Sequence, residues 1–122
     1  MHLIRQFFLA FAFLFLAAGN ASAFSSELET ISFAKLPVEA QRTIGLIRQG
    51  GPFPHEQDGR VFGNFERVLP KQRRGYYHEF TVRTPGKRHR GARRIVTGGK
   101  LPSPAEYYYT DDHYTTFKRI RQ

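Results

Sequence analysis

Cysteine is absent from all 122 residues, and only 10 carboxylates stand against 19 lysines and arginines. Without cysteine no disulfide can staple an exported domain, and no lipid can be carried on a terminal thiol, so packing alone must hold the fold. Long apolar stretches are scarce as well. The one run, "FFLAFAFLFLAAG" at residues 7–19, is shorter than the roughly 20 residues of a comfortable membrane span. The basic "MHLIRQ" precedes it and the small-residue exit "ASA", Ala21–Ala23, follows it. These three parts make a secretory signal peptide over residues 1–23, cleaved before Phe24. The expectation is one domain over residues 24–122, exported to the medium or the periplasm, and not held in a membrane.

A chain of that size can close a single core, and the 7 phenylalanines and 6 tyrosines of residues 24–122 supply the bulk for it. The shortage of acids sets the class of partner. Losing Arg5 with the leader takes the formal charge from +9 to +8, a strong field for a small domain that favours polyanions or an anionic membrane surface. No internal repeat or low-complexity tract interrupts the chain.

"LPVEAQRTIGLIRQGG" predicts one helix, because Leu36, Ala40, Ile44 and Ile47 recur on one face. Pro37 suits its first turn, Glu39 complements its positive end, and Gly50-Gly51 stop it. "PFPHEQDG" is a loop with a turn at Asp58-Gly59. Downstream, "YYHEFTV", "ARRIVT", "AEYYYT" and "HYTTFKRI" are strand-like and separated by Pro and Gly. One N-terminal helix packed on an antiparallel sheet, an α+β fold, follows from that order, with the second face of the sheet left wet.

Alternation along a strand puts Tyr77, Glu79 and Thr81 on one face and His78, Phe80 and Val82 on the other. The apolar set belongs to the core, so Glu79 faces outward. Arg90 and Arg94 share a parity on the next segment, which allows Glu79 and Arg94 to be cross-strand neighbours with Arg90 at the loop edge. The pattern admits two readings of this lone acid: an ordinary cross-strand ion pair, or a general base flanked by cations that grip a phosphate. A base needs a partner acid, and histidine is the usual one near neutral pH. His55 reads as exposed, His78 as a satisfied and partly buried ring, and His89 lies between two arginines. His113, directly after Asp111 and Asp112, is best placed to donate a proton, although a surface histidine in a turn fits the same residues.

Three separated stretches, "VFGNFERVLP", "GYYHEFTVRTPGKRHRGARRIV" and "YYTDDHYTTFKRIR", resemble the bacterial guanyl-specific extracellular ribonucleases. The resemblance begins near "LPVEAQRTIGLIRQGGPFPHEQDG" and runs to the C-terminus in the family's order. It implies the microbial ribonuclease fold, a monomer, and single-stranded RNA as substrate, cut 3′ of guanosine without metal or cofactor. By the same resemblance Glu79 matches the general base and His113 the general acid. Arg90 and Arg94 match the pair that binds the scissile phosphate. In "FGNFE", Glu66 would accept hydrogen bonds from guanine while backbone amides around Asn64 serve its carbonyl, and Phe62 and Tyr114 line the base and phosphate sites. A small acidic protein inhibitor, of the kind that holds relatives in check, is a further implied partner.

Three departures stand out. Phe65 occupies a position where many relatives carry arginine, the disulfide of some relatives is missing, and "GGKLPSPAEYYY" is a little longer. Charge alone also permits a secreted basic protein that coats nucleic acid or envelope surfaces without cutting. A disabled or toxin-adapted member of the family is a third reading.

Overall fold

The computed structural model describes residues 28–122, so the leader expected at 1–23 lies outside the described residues. Strand β1 (Glu29–Ser32) opens the fold, and a 3-10 turn (Phe33–Lys35) leads into helix α1 (Val38–Gln49). Pro37 is the residue just ahead of the helix rather than inside its first turn. Gly50, at φ 80°, ends the helix, and its N–H and that of Gly51 donate to the carbonyls of Ile47 and Leu46. Only a residue without Cβ adopts that conformation freely. Ala40, Thr43, Ile44 and Ile47 form the buried stripe of α1, and burial of each isoleucine contributes roughly 1.5–3 kcal/mol.

The other strands are β2 (Arg60–Val61), β3 (Tyr77–Thr81), β4 (Arg94–Gly98), β5 (Glu106–Thr110) and β6 (Lys118–Arg121). Among the described residues they form one sheet with β1, in the order β1-β6-β5-β4-β3-β2. Neighbours from β6 to β2 run antiparallel, whereas β1 lies parallel to β6. The result is the expected α+β fold with a mixed sheet. No described helix is long and apolar enough to cross a membrane.

The helix covers one face of the sheet, where Ala40, Ile44 and Ile47 pack with Phe80, Val82, Ile95, Tyr107, Tyr109 and Ile120. The opposite face is not simply wet. Tyr77, Val96 and Tyr108 project from it into a second core closed by Leu69 and Phe117, which come from the loops before β3 and β6. Glu106 is the polar hub at the edge of that core. Its carboxylate accepts the hydroxyls of Tyr76 and Tyr108, each at 2.8 Å, and meets Arg119 at 3.4 Å. The uncovered part of this face is therefore confined to the end of the sheet where β3 leaves and β4 enters.

His78 is the misfit on the helix-covered face. The expected satisfied ring is half-buried, and its Nδ1 is buried without a hydrogen-bond partner among the described residues. Burial pulls its pKa below 6.5, because a charged imidazole loses water there and gains nothing in return. The unfolded chain thus binds the proton more readily. The neutral ring's contribution to stability is complete above the unfolded value of 6.5 and is lost as pH falls through the lower folded value. Urea unfolding between pH 7 and 5.5 should show a steeper fall in midpoint for the wild type than for His78→Gln. Identical slopes would remove His78 from the acid response.

Candidate active site

Thr81, at the end of β3, is the anchor of the site's frame. Its N–H donates to Asp58 Oδ1 at 2.7 Å, and its carbonyl accepts Thr43 Oγ1 from α1 at 3.1 Å. Loop and helix therefore both grip the strand just beyond Glu79. Asp58, which the sequence marks only as a turn residue, also accepts the backbone N–H of His55 at 3.1 Å through Oδ2. His55 is half-buried there, not exposed as expected.

Register then decides which cations meet Glu79. Glu79 pairs with Val96 on β4 and Arg60 on β2, while Arg94 stands opposite Thr81. Arg94 is accordingly a diagonal neighbour of Glu79 and not the direct partner that parity allowed. The direct contact comes from Arg90, whose Nη2 lies 3.2 Å from Glu79 Oε1 while its Nε donates to Thr81 Oγ1 at 2.9 Å. The side chains of Glu79 and Arg90 are 17% and 24% exposed, so the ion pair is sheltered yet reachable. Thr81 shares the face of Glu79 by simple alternation, but nothing in its spacing announced that its hydroxyl holds Arg90.

Arg94 is the feature that an ordinary ion-pair network does not explain. It is 2% exposed. Its Nη1 donates to the carbonyls of Arg93 at 2.8 Å and Gly91 at 3.0 Å, and its Nε to the Tyr114 hydroxyl at 3.1 Å. Gly91 makes this wrapping feasible. It sits at φ 66°, and a Cβ there would come within 2.6 Å of Thr84 Oγ1. Among the described residues Arg94 forms no salt bridge with a carboxylate. A buried guanidinium held by dipoles alone retains its charge for an anion that arrives later.

Tyr114 joins the parts together. Its guanidinium contact with Arg94 is also face-on, with 5.9 Å from Arg94 Cζ to the ring centre. Burial pushes its hydroxyl pKa up, with the charge of Glu79 adding and that of Arg94 opposing, so the phenol remains a hydrogen-bond donor at neutral pH. Its ring lies 4.7 Å from that of His113 and 4.9 Å from that of Phe62. Glu79, Arg90, Arg94, Phe62, Tyr114 and His113 are thus gathered at one end of the sheet.

His113 does not arrive on a strand. "HYTTF" is a turn, and β6 begins only at Lys118. His113 and Tyr114 have φ of 54° and 73°, a left-handed pair stabilised from several sides. Asp112 accepts Thr116 N and Oγ1 and Thr110 Oγ1, at 2.9, 2.5 and 2.8 Å. The N–H of His113 donates to Ala92 O at 3.0 Å. Burial acts to raise the Asp112 carboxyl, but the bonds from Thr116, Thr110 and Thr115 outweigh it and lower the pKa. Asp112 is therefore committed to shaping the turn that presents His113, which itself is exposed. His89 points elsewhere and accepts the Gly91 N–H through Nδ1.

The loop after β2 carries the remaining candidates. Asn64 is left-handed, at φ 53°. Its side chain closes the loop by donating to Leu69 O at 3.0 Å and accepting Leu69 N at 3.1 Å. The side-chain amide is thereby occupied, and the Asn64 carbonyl accepts Arg67 N at 3.0 Å. Glu66 is exposed on it, and Phe62 ties it to Tyr114. No group of three or more His, Asp or Glu suited to a metal ion occurs among the described residues.

The chain resembles several known proteins. The guanyl-specific ribonuclease Sa of Kitasatospora aureofaciens is 56% identical over 93 residues, covering 76% of this chain and 94% of its own. The guanyl-specific ribonuclease St of Saccharopolyspora erythraea is 49% identical over 94 residues, covering 77% and 89%. A solved structure of ribonuclease Sa2 with mononucleotides superposes with a TM-score of 0.74 at 50% identity, covering 79% of this chain and 96% of that one. Another, of ribonuclease Sa2 with guanosine-2′-cyclophosphate, gives 0.72. The sequence profile of the ribonuclease family runs through residues 19–121, from ahead of β1 to the end of β6, and the chain belongs to that family.

Proposed function

We propose that this chain, a guanyl-preferring endoribonuclease, cuts single-stranded RNA 3′ of guanosine by general acid–base transesterification. Glu79 takes the proton of the ribose 2′-OH, and that oxygen attacks the adjacent phosphorus in line. The bond from phosphorus to the 5′-oxygen breaks, and His113 protonates the departing oxygen. A 2′,3′-cyclic phosphate remains. In the second step His113 draws a proton from water, the hydroxide oxygen opens the ring, and Glu79 returns its proton to the 2′-oxygen. Arg90 and Arg94 hold the phosphoryl oxygens as charge builds on them. The 2′-OH is the nucleophile, so DNA is not cut.

One observation carries this reading: the buried, carboxylate-free guanidinium of Arg94 beside the Glu79–Arg90 pair, with Tyr114 bonded to Arg94 and packed against His113. A structural ion pair needs the second cation no more than it needs the histidine. The proposal includes secretion, on the leader pattern read at 1–23, of a domain over 24–122 that acts as a monomer, whose +8 field suits electrostatic steering toward RNA and toward a small acidic inhibitor.

The reading is tested by incubating the 24–122 domain with RNA in EDTA and sequencing the product ends. Fragments ending in guanosine 2′,3′-cyclic phosphate are expected; intact RNA, or ends indifferent to base, would refute it. Glu66→Ala should relax base choice by about tenfold or more, the scale of one lost charge-assisted hydrogen bond. Guanine preference surviving that change intact would remove Glu66 from recognition.

A further inference from the structure

The catalytic cluster does not account for a cleft between the Phe62–Arg67 loop and the segment 71–74. It has a volume of about 410 Å³ and is lined by Asn64, Phe65, Arg67, Lys71, Arg73 and Arg74, among others. Neither Glu79, Arg90, Arg94, His113 nor Tyr114 lines it, and no carboxylate does. Four cations around an opening of ligand size, with no acid between them, make an anion site.

Phe65 gives the cleft a second character. Its ring is 93% exposed, a wasteful placement for an aromatic in a fold that rests on packing. The ring lies over Gly63, where a Cβ would come within 2.5 Å of its Cε2 and Cζ. An exposed ring over a glycine, next to cations, has the composition of a single-strand nucleic-acid platform.

Position supplies the polarity. Phe62 is common to both sites, meeting Tyr114 at 4.9 Å on the catalytic side and lining the cleft on the other. In the proposed reaction guanosine sits at the Phe62–Glu66 loop with its 3′-phosphate among Glu79, Arg90 and Arg94. The strand continuing 3′ starts at the oxygen that His113 protonates, and His113 does not line the cleft. The strand arriving from the 5′ side joins the guanosine at its other end, beside the recognition loop whose residues Phe62, Asn64 and Phe65 line the cleft. Resting on that reading of the site, we infer that the Phe65–Arg74 cleft binds the RNA segment immediately 5′ of the guanosine, with Arg73 and Arg74 on its phosphates and a base on Phe65.

The test compares wild type with Arg73→Gln/Arg74→Gln on GpC, ApApGpC and GpCpApA. The double variant should cleave GpC and GpCpApA as the wild type does. Its kcat/KM on ApApGpC should fall about fivefold or more, and the log–log salt dependence on that substrate should flatten by about 1.4, the value for two lost single-strand phosphate contacts. Unchanged cleavage of ApApGpC, an equal loss on all three substrates, or a loss confined to GpCpApA would each overturn the assignment. Binding of an ApApGpC analogue with 2′-deoxyguanosine reads the cleft without cleavage. If the wild type cuts nothing but the analogue still binds more weakly to the double variant, the ribonuclease reading fails and the cleft stands.

Discussion

Glu79→Gln is expected to lower kcat on GpC by two decades or more while KM changes little. The substitution keeps the volume of the side chain and an oxygen that can accept from Arg90 Nη2, now at 3.2 Å from Oε1. Arg90 stays anchored by Thr81 Oγ1, so the phosphate grip persists. What is lost is the ability to take a proton, and general-base catalysis contributes about 10²–10⁴-fold. Because proton transfer occurs on the way to the transition state, the loss belongs in kcat rather than in ground-state binding. A Glu79→Gln variant with near-wild-type turnover would reduce this carboxylate to a partner of Arg90.

His113→Ala should cost a similar two or more decades, through the leaving group instead of the nucleophile. Its backbone needs separate treatment, since residue 113 is left-handed, at φ 54°, and alanine tolerates that conformation poorly, by roughly 1–2 kcal/mol. His113→Asn resolves the ambiguity, because asparagine accepts the left-handed region and leaves the N–H bond to Ala92 in place. Both variants should be equally inactive on GpC, with the asparagine variant closer to wild type in urea midpoint. Activity retained in His113→Asn would mean that the turn, and not the imidazole, supports cleavage.

The parts of this molecule governed by local periodicity were legible in the sequence. The stripe Leu36, Ala40, Ile44 and Ile47 is buried as its spacing predicts, and alternation correctly put Phe80 and Val82 in the helix-side core and Glu79 on the other face. What periodicity cannot carry is register: a two-residue shift keeps every side chain on its face, and so Arg94 fell opposite Thr81 with Glu79 left to Arg90. The second core was illegible for a related reason. Leu69 and Phe117 reach it from loops, and their burial depends on where those loops close, not on any pattern within them. "HYTTF" misled differently, since its β-branched and aromatic residues favour a strand. The hydrogen bonds of Asp112 to Thr110 and Thr116 override that preference and turn the chain at His113. The resemblance to guanyl-specific ribonucleases named Glu79, Arg90, Arg94, Phe62, Tyr114 and His113, which the fold brings together, whereas Thr81 and Asp58, which hold the frame, bear no signature beyond alternation and a turn.

The division of labour between the two proton-transfer residues is tested most directly with a GpC analogue whose 5′-leaving oxygen is replaced by sulfur, a leaving group that departs without protonation. His113→Ala should cleave this analogue at nearly the wild-type rate, whereas Glu79→Gln should remain impaired by two decades or more. Equal impairment of both variants on the sulfur substrate would contradict the assignment of His113 as the acid and Glu79 as the base.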